Sequence, residues 1–158
     1  MKIELALHVL SDAGVDCVVI GGVAGAFHGS GRVTYDLDVC YSRTAQNIRR
    51  LAEALAPFHP RPRGLPDGLP FIWDEATLRN GSLFTLHTDL GDIDLLAEVA
   101  GLGTYDEVKA SSIPIEAFGC RVAVLDLKSL IRAKRAAGRE RDLSALPELE
   151  ALLEAEEP

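Results

Sequence analysis

From Val18 to Tyr41 the chain reads VVIGGVAGAFHGSGRVTYDLDVCY, a short apolar run that ends in a glycine pair and is followed by two aspartates one residue apart. An extended strand turns successive side chains to opposite faces, so Asp36 and Asp38 share a face while Leu37 and Val39 turn into protein. Two carboxylates held side by side repel each other unless a cation lies between them. Mg²⁺ fits that role best, because it prefers oxygen ligands and holds substrate phosphates through one or two carboxylates. Gly21 and Gly22 fall at a strand-to-helix junction, where backbone without Cβ atoms can approach a ligand and unpaired amides can receive phosphate oxygens. Alone, a glycine pair reads rather as a tight turn needing positive φ; the aspartates that follow reverse that weighting towards phosphate.

The surrounding chain supplies the elements to carry this stretch. Ile3, Leu7 and Leu10 recur at helical spacing before Gly14, which predicts an amphipathic helix over 2–13. Val15 to Ile20 is almost wholly apolar and rich in β-branched residues, as a central strand covered on both faces would be. A short helix is expected after Gly22, then a second strand over Tyr35 to Tyr41, and Thr44 can cap a helix whose Ile48, Leu51 and Leu55 face the sheet. Residues 57–70 hold five of the eight prolines and are expected to form a loop without regular structure. Ser82 to Thr88 and Asp92 to Ala97 read as a hairpin joined by Asp89-Leu90-Gly91, which delivers Asp92 and Asp94. Thr104 and Glu107 make a capping box. Ile113 to Ala117 and Arg121 to Val124 form a further strand pair, with Pro114 confining its strand to an edge. Asp126 can cap a helix that ends at Gly138, and a last helix is expected over Leu146 to Glu156.

With 158 residues the chain is about the size of one domain, expected to span 1–158 with a core over about 1–125 and a helical part over about 126–158. No run of about 18 apolar residues is present, and Glu4 and His8 interrupt the N-terminus where a signal peptide would be continuously apolar, so a cytoplasmic protein with no membrane partner is expected. Sixteen basic residues against 24 acidic ones give a formal charge of −8, which discourages non-specific binding to a polyanion. The tail residues Glu148, Glu150, Glu154, Glu156 and Glu157 read as a solvated helical face. Cys17, Cys40 and Cys120 are odd in number and lack metal or redox spacing; they read as small buried hydrophobes.

Apolar strand, Gly-Gly, short helix and Asp-x-Asp, at this spacing, resemble the signature of the DNA polymerase beta-like nucleotidyltransferase superfamily. Within it the chain is most similar to the small bacterial minimal and abortive-infection toxin-type nucleotidyltransferases, which carry an Arg and a Ser or Thr just before the aspartates, here Arg32 and Thr34. The resemblance implies an α/β (α+β) fold, a mixed β-sheet flanked by helices with C-terminal helices. It implies an enzyme that moves a nucleoside monophosphate from an NTP such as ATP to an acceptor hydroxyl on a tRNA end, a protein or a small molecule. Asp36, Asp38 and a third acid would bind one or two Mg²⁺ ions. Asp94 matches that third acid through its flanks Ile93, Leu95 and Leu96, whereas Asp92 adjoins the turn and can be read as closing it. Gly21, Gly22, Arg32, Thr34 and Lys134 would hold the triphosphate. A cognate antitoxin is the partner the toxin-type branch implies.

The remaining residues divide between functional and structural readings. Leu127, Leu130, Ile131 and Lys134 follow one helical face, so Lys134 points inward or snorkels to water; the resemblance favours phosphate contact. It also matches Arg139, Arg141 and Asp142 to a basic-plus-Asp segment, but a further acid is missing near Leu146, which leaves their part in the site open. Arg32 and Thr34 either steady phosphates or order the glycine loop. His28 reads as a packing or hydrogen-bonding residue, and Trp73, Tyr35 and Tyr105 as core aromatics. Two other functions are consistent with the motifs: a non-catalytic nucleotide-binding or regulatory half of a toxin-antitoxin pair, and a haloacid dehalogenase-type phosphatase with Asp36 as nucleophile.

Overall fold

The computed structural model of the protein describes residues 1–156; Glu157, assigned above to the acidic tail, lies outside them. In chain order the elements are α1 (Ile3–Asp12), β1 (Cys17–Ile20), α2 (Gly21–Phe27), β2 (Asp36–Tyr41), α3 (Ala45–Leu55), β3 (Arg61–Pro62), α4 (Glu75–Arg79), β4 (Leu83–Thr88), β5 (Gly91–Leu96), β6 (Glu98–Val99), β7 (Gly103–Thr104), α5 (Tyr105–Ala110), β8 (Ser112–Ala117), β9 (Cys120–Leu125), α6 (Leu127–Ala137) and α7 (Glu140–Glu156). Seven strands form one mixed sheet in the order β3-β4-β5-β2-β1-β9-β8, while β6 and β7 make a separate ribbon. The parallel pairs are β2 with β5 and β1 with β9.

The centre of the sheet is apolar on both faces. Val18, Val19, Leu37, Val39, Cys40, Tyr41, Ile93, Leu95 and Val124 are fully buried, and α1 and α3 contribute Leu7, Leu10, Ile48, Leu51 and Leu55. Asp36 and Asp38 interrupt this pattern at the end of β2 that adjoins the β1–α2 junction, where Ile20 lies opposite Asp38. Capping follows local chemistry: Thr44 accepts from the Asn47 amide at 3.3 Å and Asp126 from the Ser129 amide at 2.7 Å. The Thr104 amide donates to the Glu107 carboxylate at 2.6 Å. Gly138 ends α6 in the left-handed conformation. Pro114 lies in the edge strand β8. No helix among the described residues is long and apolar enough to cross a membrane.

Three expectations are corrected. The proline-rich segment contains a strand: Arg61 and Pro62 pair with His87 and Leu86, and the Arg63 amide continues the contact to the Thr85 carbonyl at 2.8 Å. A proline is tolerated there because β3 is the outer edge of the sheet, where one side of the ladder needs no donor. The last helix begins at Glu140 rather than Leu146 and carries Pro147 inside it. It is held early because the Arg139 backbone and side chain both bond to Asp142. Tyr35 is 79% exposed rather than in the core, since the β2 ladder starts one residue later. Trp73 and Tyr105 do pack against the core. Cys40 is buried while Cys17 and Cys120 are half-buried. Burial pushes the Cys17 and Cys40 thiols up to about 12, so neither is a ready nucleophile.

Candidate active site

The parallel register of β2 and β5 sets Asp36 opposite Asp92 and Asp38 opposite Asp94. Four carboxylates therefore share one face in two rows. Asp36, Asp38 and Asp94 each turn an oxygen into a cluster in which all lie within 4.8 Å of one another. Among the described residues Asp38 Oδ1 is buried with no hydrogen-bond partner. A buried carboxylate oxygen without a donor is costly, and it is the condition a hard cation relieves. Burial, then the neighbouring Asp36 and Asp94, push the Asp38 carboxyl up to about 7. Asp94 is also raised by burial, with Arg63 opposing the rise. The cluster thus suits a divalent ion bound by oxygen ligands.

Gly21 closes the site from the β1–α2 side. Its φ is +63°, and a Cβ there would lie 3.0 Å from Asp38 Cγ, with Oδ2 closer still. Two independent reasons require glycine at this position, one conformational and one steric. A Cβ on Gly22 would strike the Thr34 methyl, so Thr34 packs directly over the start of α2. The glycine pair and Thr34 are accordingly one unit beside the acids.

Lys134 faces inward, 19% exposed, and its Nζ lies 3.7 Å from Asp142 Oδ1. Its positive charge is felt at Asp38, whose carboxyl it lowers against the larger raising influences. Asp142 is buried and also accepts from Arg139 Nε at 2.7 Å, which ties the end of α6 to the start of α7. Arg141 is exposed, and its backbone carbonyl accepts from the Ser144 hydroxyl. Arg32 donates to the Ser144 carbonyl and hydroxyl, both at 3.3 Å, and so tethers the glycine loop to α7. His28 bonds the Leu125 carbonyl at 2.8 Å, in the packing role expected of it.

Glu148, expected above on a solvated face, and Arg63, which sequence reading passed over, also bear on the site. Glu148 accepts from Ser30 Oγ at 2.5 Å and from the Gly31 amide at 3.1 Å, so this member of the acidic tail fastens the loop instead of facing solvent alone. Those two bonds, together with Arg32, hold its carboxyl below the usual carboxylate range. Arg63 pairs with Asp94 and, at 3.3 Å, with Asp92 Oδ2, while His87 Nδ1 lies 2.7 Å from Asp92 Oδ1. No local spacing links Arg63 to these carboxylates, whereas His87 and Asp92 face each other across the β4–β5 hairpin. A groove of about 670 Å³ runs along α1 and α2 and includes Phe27, Thr34 and Phe118, but none of the three clustered aspartates lines it.

No family model matches the sequence, and no curated protein does. Among solved structures, the crystal structure of a Thermotoga maritima protein provisionally named a nucleotidyltransferase superimposes with a TM-score of 0.61, covering 95% of this chain and 93% of that one at 14% identity. The fold is nucleotidyltransferase-like. At that identity the likeness speaks for architecture, which agrees with the mixed sheet and flanking helices. The acid cluster is an independent observation made on this chain's own side chains.

Proposed function

We propose that the protein is a Mg²⁺-dependent nucleotidyltransferase that moves a nucleoside monophosphate from an NTP to an acceptor hydroxyl. The observation that carries this reading is the convergence of Asp36, Asp38 and Asp94, with a buried, unpartnered Asp38 oxygen, beside the Gly21–Gly22 turn. Asp36, Asp38 and Asp94 would hold the ion or ions. When bound, a divalent ion would offset the charge of the phosphate oxygens and favour attack at the α-phosphorus. Gly21 and Gly22 would let the triphosphate approach the backbone, and Thr34 would keep that turn in place. Lys134 would supply positive charge at the phosphates. The Asp94 carboxylate would orient the acceptor hydroxyl or take its proton as the new oxygen–phosphorus bond forms and the bond to pyrophosphate breaks. Catalysis of this kind is mostly positioning and charge stabilisation.

Arg32 serves in this reading as an organiser of the glycine loop, consistent with its two bonds to Ser144. The phosphatase reading needs Asp36 in a loop beyond a strand, whereas it opens β2. A tRNA end, a protein hydroxyl or a small molecule as acceptor, a cytoplasmic setting and a cognate antitoxin belong to the proposal through the family resemblance. The test is pyrophosphate release from each of the four NTPs with Mg²⁺, over a panel of the three acceptor classes. Wild type should release pyrophosphate and Asp36→Ala should not; equal signals from the two would refute the reading.

A further inference from the structure

We propose that Arg63 is a resident cation of the acid cluster, standing in for divalent charge on the side formed by Asp92 and Asp94. This rests on the reading of Asp36, Asp38 and Asp94 as a metal site. The four carboxylates are arranged as two columns, Asp36 with Asp38 on β2 and Asp92 with Asp94 on β5. Arg63 reaches only the β5 column, with Nη1 to Asp92 and Nη2 to Asp94. Among the described residues no basic side chain is ion-paired with Asp36 or Asp38, and Asp38 Oδ1 is left bare. One guanidinium therefore pairs with half of the array, and among the described residues Asp36 and Asp38 have no ion-paired cation.

The backbone that presents this guanidinium is fixed. Pro60 and Pro62 limit the chain on its N-terminal side, the β3–β4 pairing sets its register, and the Arg63 amide is bonded to Thr85. The planar fork suits two carboxylates at once, which an ammonium group cannot match. In the metal-free protein Arg63 lowers the repulsion among acids that would otherwise face each other. Once a divalent ion is bound, the same charge becomes a repulsive neighbour. Across one carboxylate, at about 6 Å, a unit charge and a divalent ion repel enough in bulk-water screening to weaken binding about tenfold, and less screening enlarges the effect.

A residue that merely anchors the proline-rich segment makes the opposite prediction, because loss of an anchor loosens Asp94 and weakens metal binding. Calorimetric titration of MnCl₂ into wild type, Arg63→Gln and Arg63→Lys at pH 8, with thermal melts in EDTA and in saturating Mn²⁺, separates the two. Arg63→Gln should bind Mn²⁺ about tenfold more tightly or better. It should melt below wild type in EDTA and lose much of that deficit in Mn²⁺. Arg63→Lys keeps the charge and should stay within about threefold of wild type; a tenfold gain there would overturn the proposal even if Arg63→Gln fails to fold. Equal or weaker binding by Arg63→Gln, with Asp36→Asn abolishing binding, overturns the role of Arg63 and leaves the metal site standing. Wild type that takes up no Mn²⁺ overturns both.

Discussion

Replacing Gly21 by alanine adds one methyl group where the backbone has φ +63° and where Cβ would sit 3.0 Å from Asp38 Cγ and 3.1 Å from its Cβ. The left-handed conformation alone costs a non-glycine residue about 1–2 kcal/mol. Gly138 is the internal control, since its φ is +66° but the nearest atom to an added Cβ, the Arg135 carbonyl oxygen, is 3.6 Å away, an ordinary contact. Gly138→Ala should therefore cost only the conformational term, about 1–2 kcal/mol. Gly21→Ala must in addition push Asp38 away, against a core that has little room, and should cost about 3–4 kcal/mol in all. The displaced carboxylate is a member of the acid cluster, so divalent-ion affinity should fall at least tenfold in Gly21→Ala and stay unchanged in Gly138→Ala. Urea denaturation and calorimetric Mn²⁺ titration of the two variants measure both effects. Equal destabilisation, with wild-type Mn²⁺ affinity in Gly21→Ala, would refute the steric coupling between the turn and Asp38.

Further predictions follow from the same contacts. The Asp38 carboxyl rises from 3.8 to about 7 on folding without metal, so its favourable contribution is complete below pH 4 and is lost as pH rises through 7. Three pH units correspond to about 4 kcal/mol, so in EDTA the stability of wild type relative to Asp38→Asn should fall by up to that amount between pH 4 and 8, and saturating Mg²⁺ should reverse the fall. Denaturation curves in EDTA that keep a constant gap between the two proteins would contradict it. Glu148→Ala removes the acceptor for Ser30 and Gly31 and should speed amide exchange over 29–33 without altering exchange in β8 and β9; unchanged protection of the loop would count against that tether. Asp142→Ala strips a buried acceptor from Arg139 and a counter-charge from Lys134 and should cost about 2 kcal/mol in urea denaturation. A cost near zero would show that the α6–α7 junction is held otherwise.

How much was legible depended on whether the deciding interaction was local. Asp36 and Asp38 could be placed on one face because the period of a strand is two, whereas Asp94 was singled out by the family resemblance, through flanks that match its third-acid strand. Thr44, Asp126 and the Thr104–Glu107 box lie within three residues of their partners, so caps could be read directly. Arg63 could not be seen, because its carboxylate partners lie 29 and 31 positions away and meet it only after β3, β4 and β5 pair. Glu148 meets Ser30 across 118 positions. Pro147 concealed the start of α7, which the nearby Arg139–Asp142 contact sustains. Arg32 had two readings that sequence could not separate; the arrival of α7 beside the loop supplies the Ser144 partner.

The central claim is that three aspartates from β2 and β5 act together as one divalent-ion site. Mn²⁺ titration of wild type, Asp36→Asn, Asp38→Asn and Asp94→Asn at pH 8 tests it most directly. Wild type should bind, and each single amide substitution should weaken binding by tenfold or more while the fold persists by circular dichroism. Four indistinguishable isotherms would contradict the account.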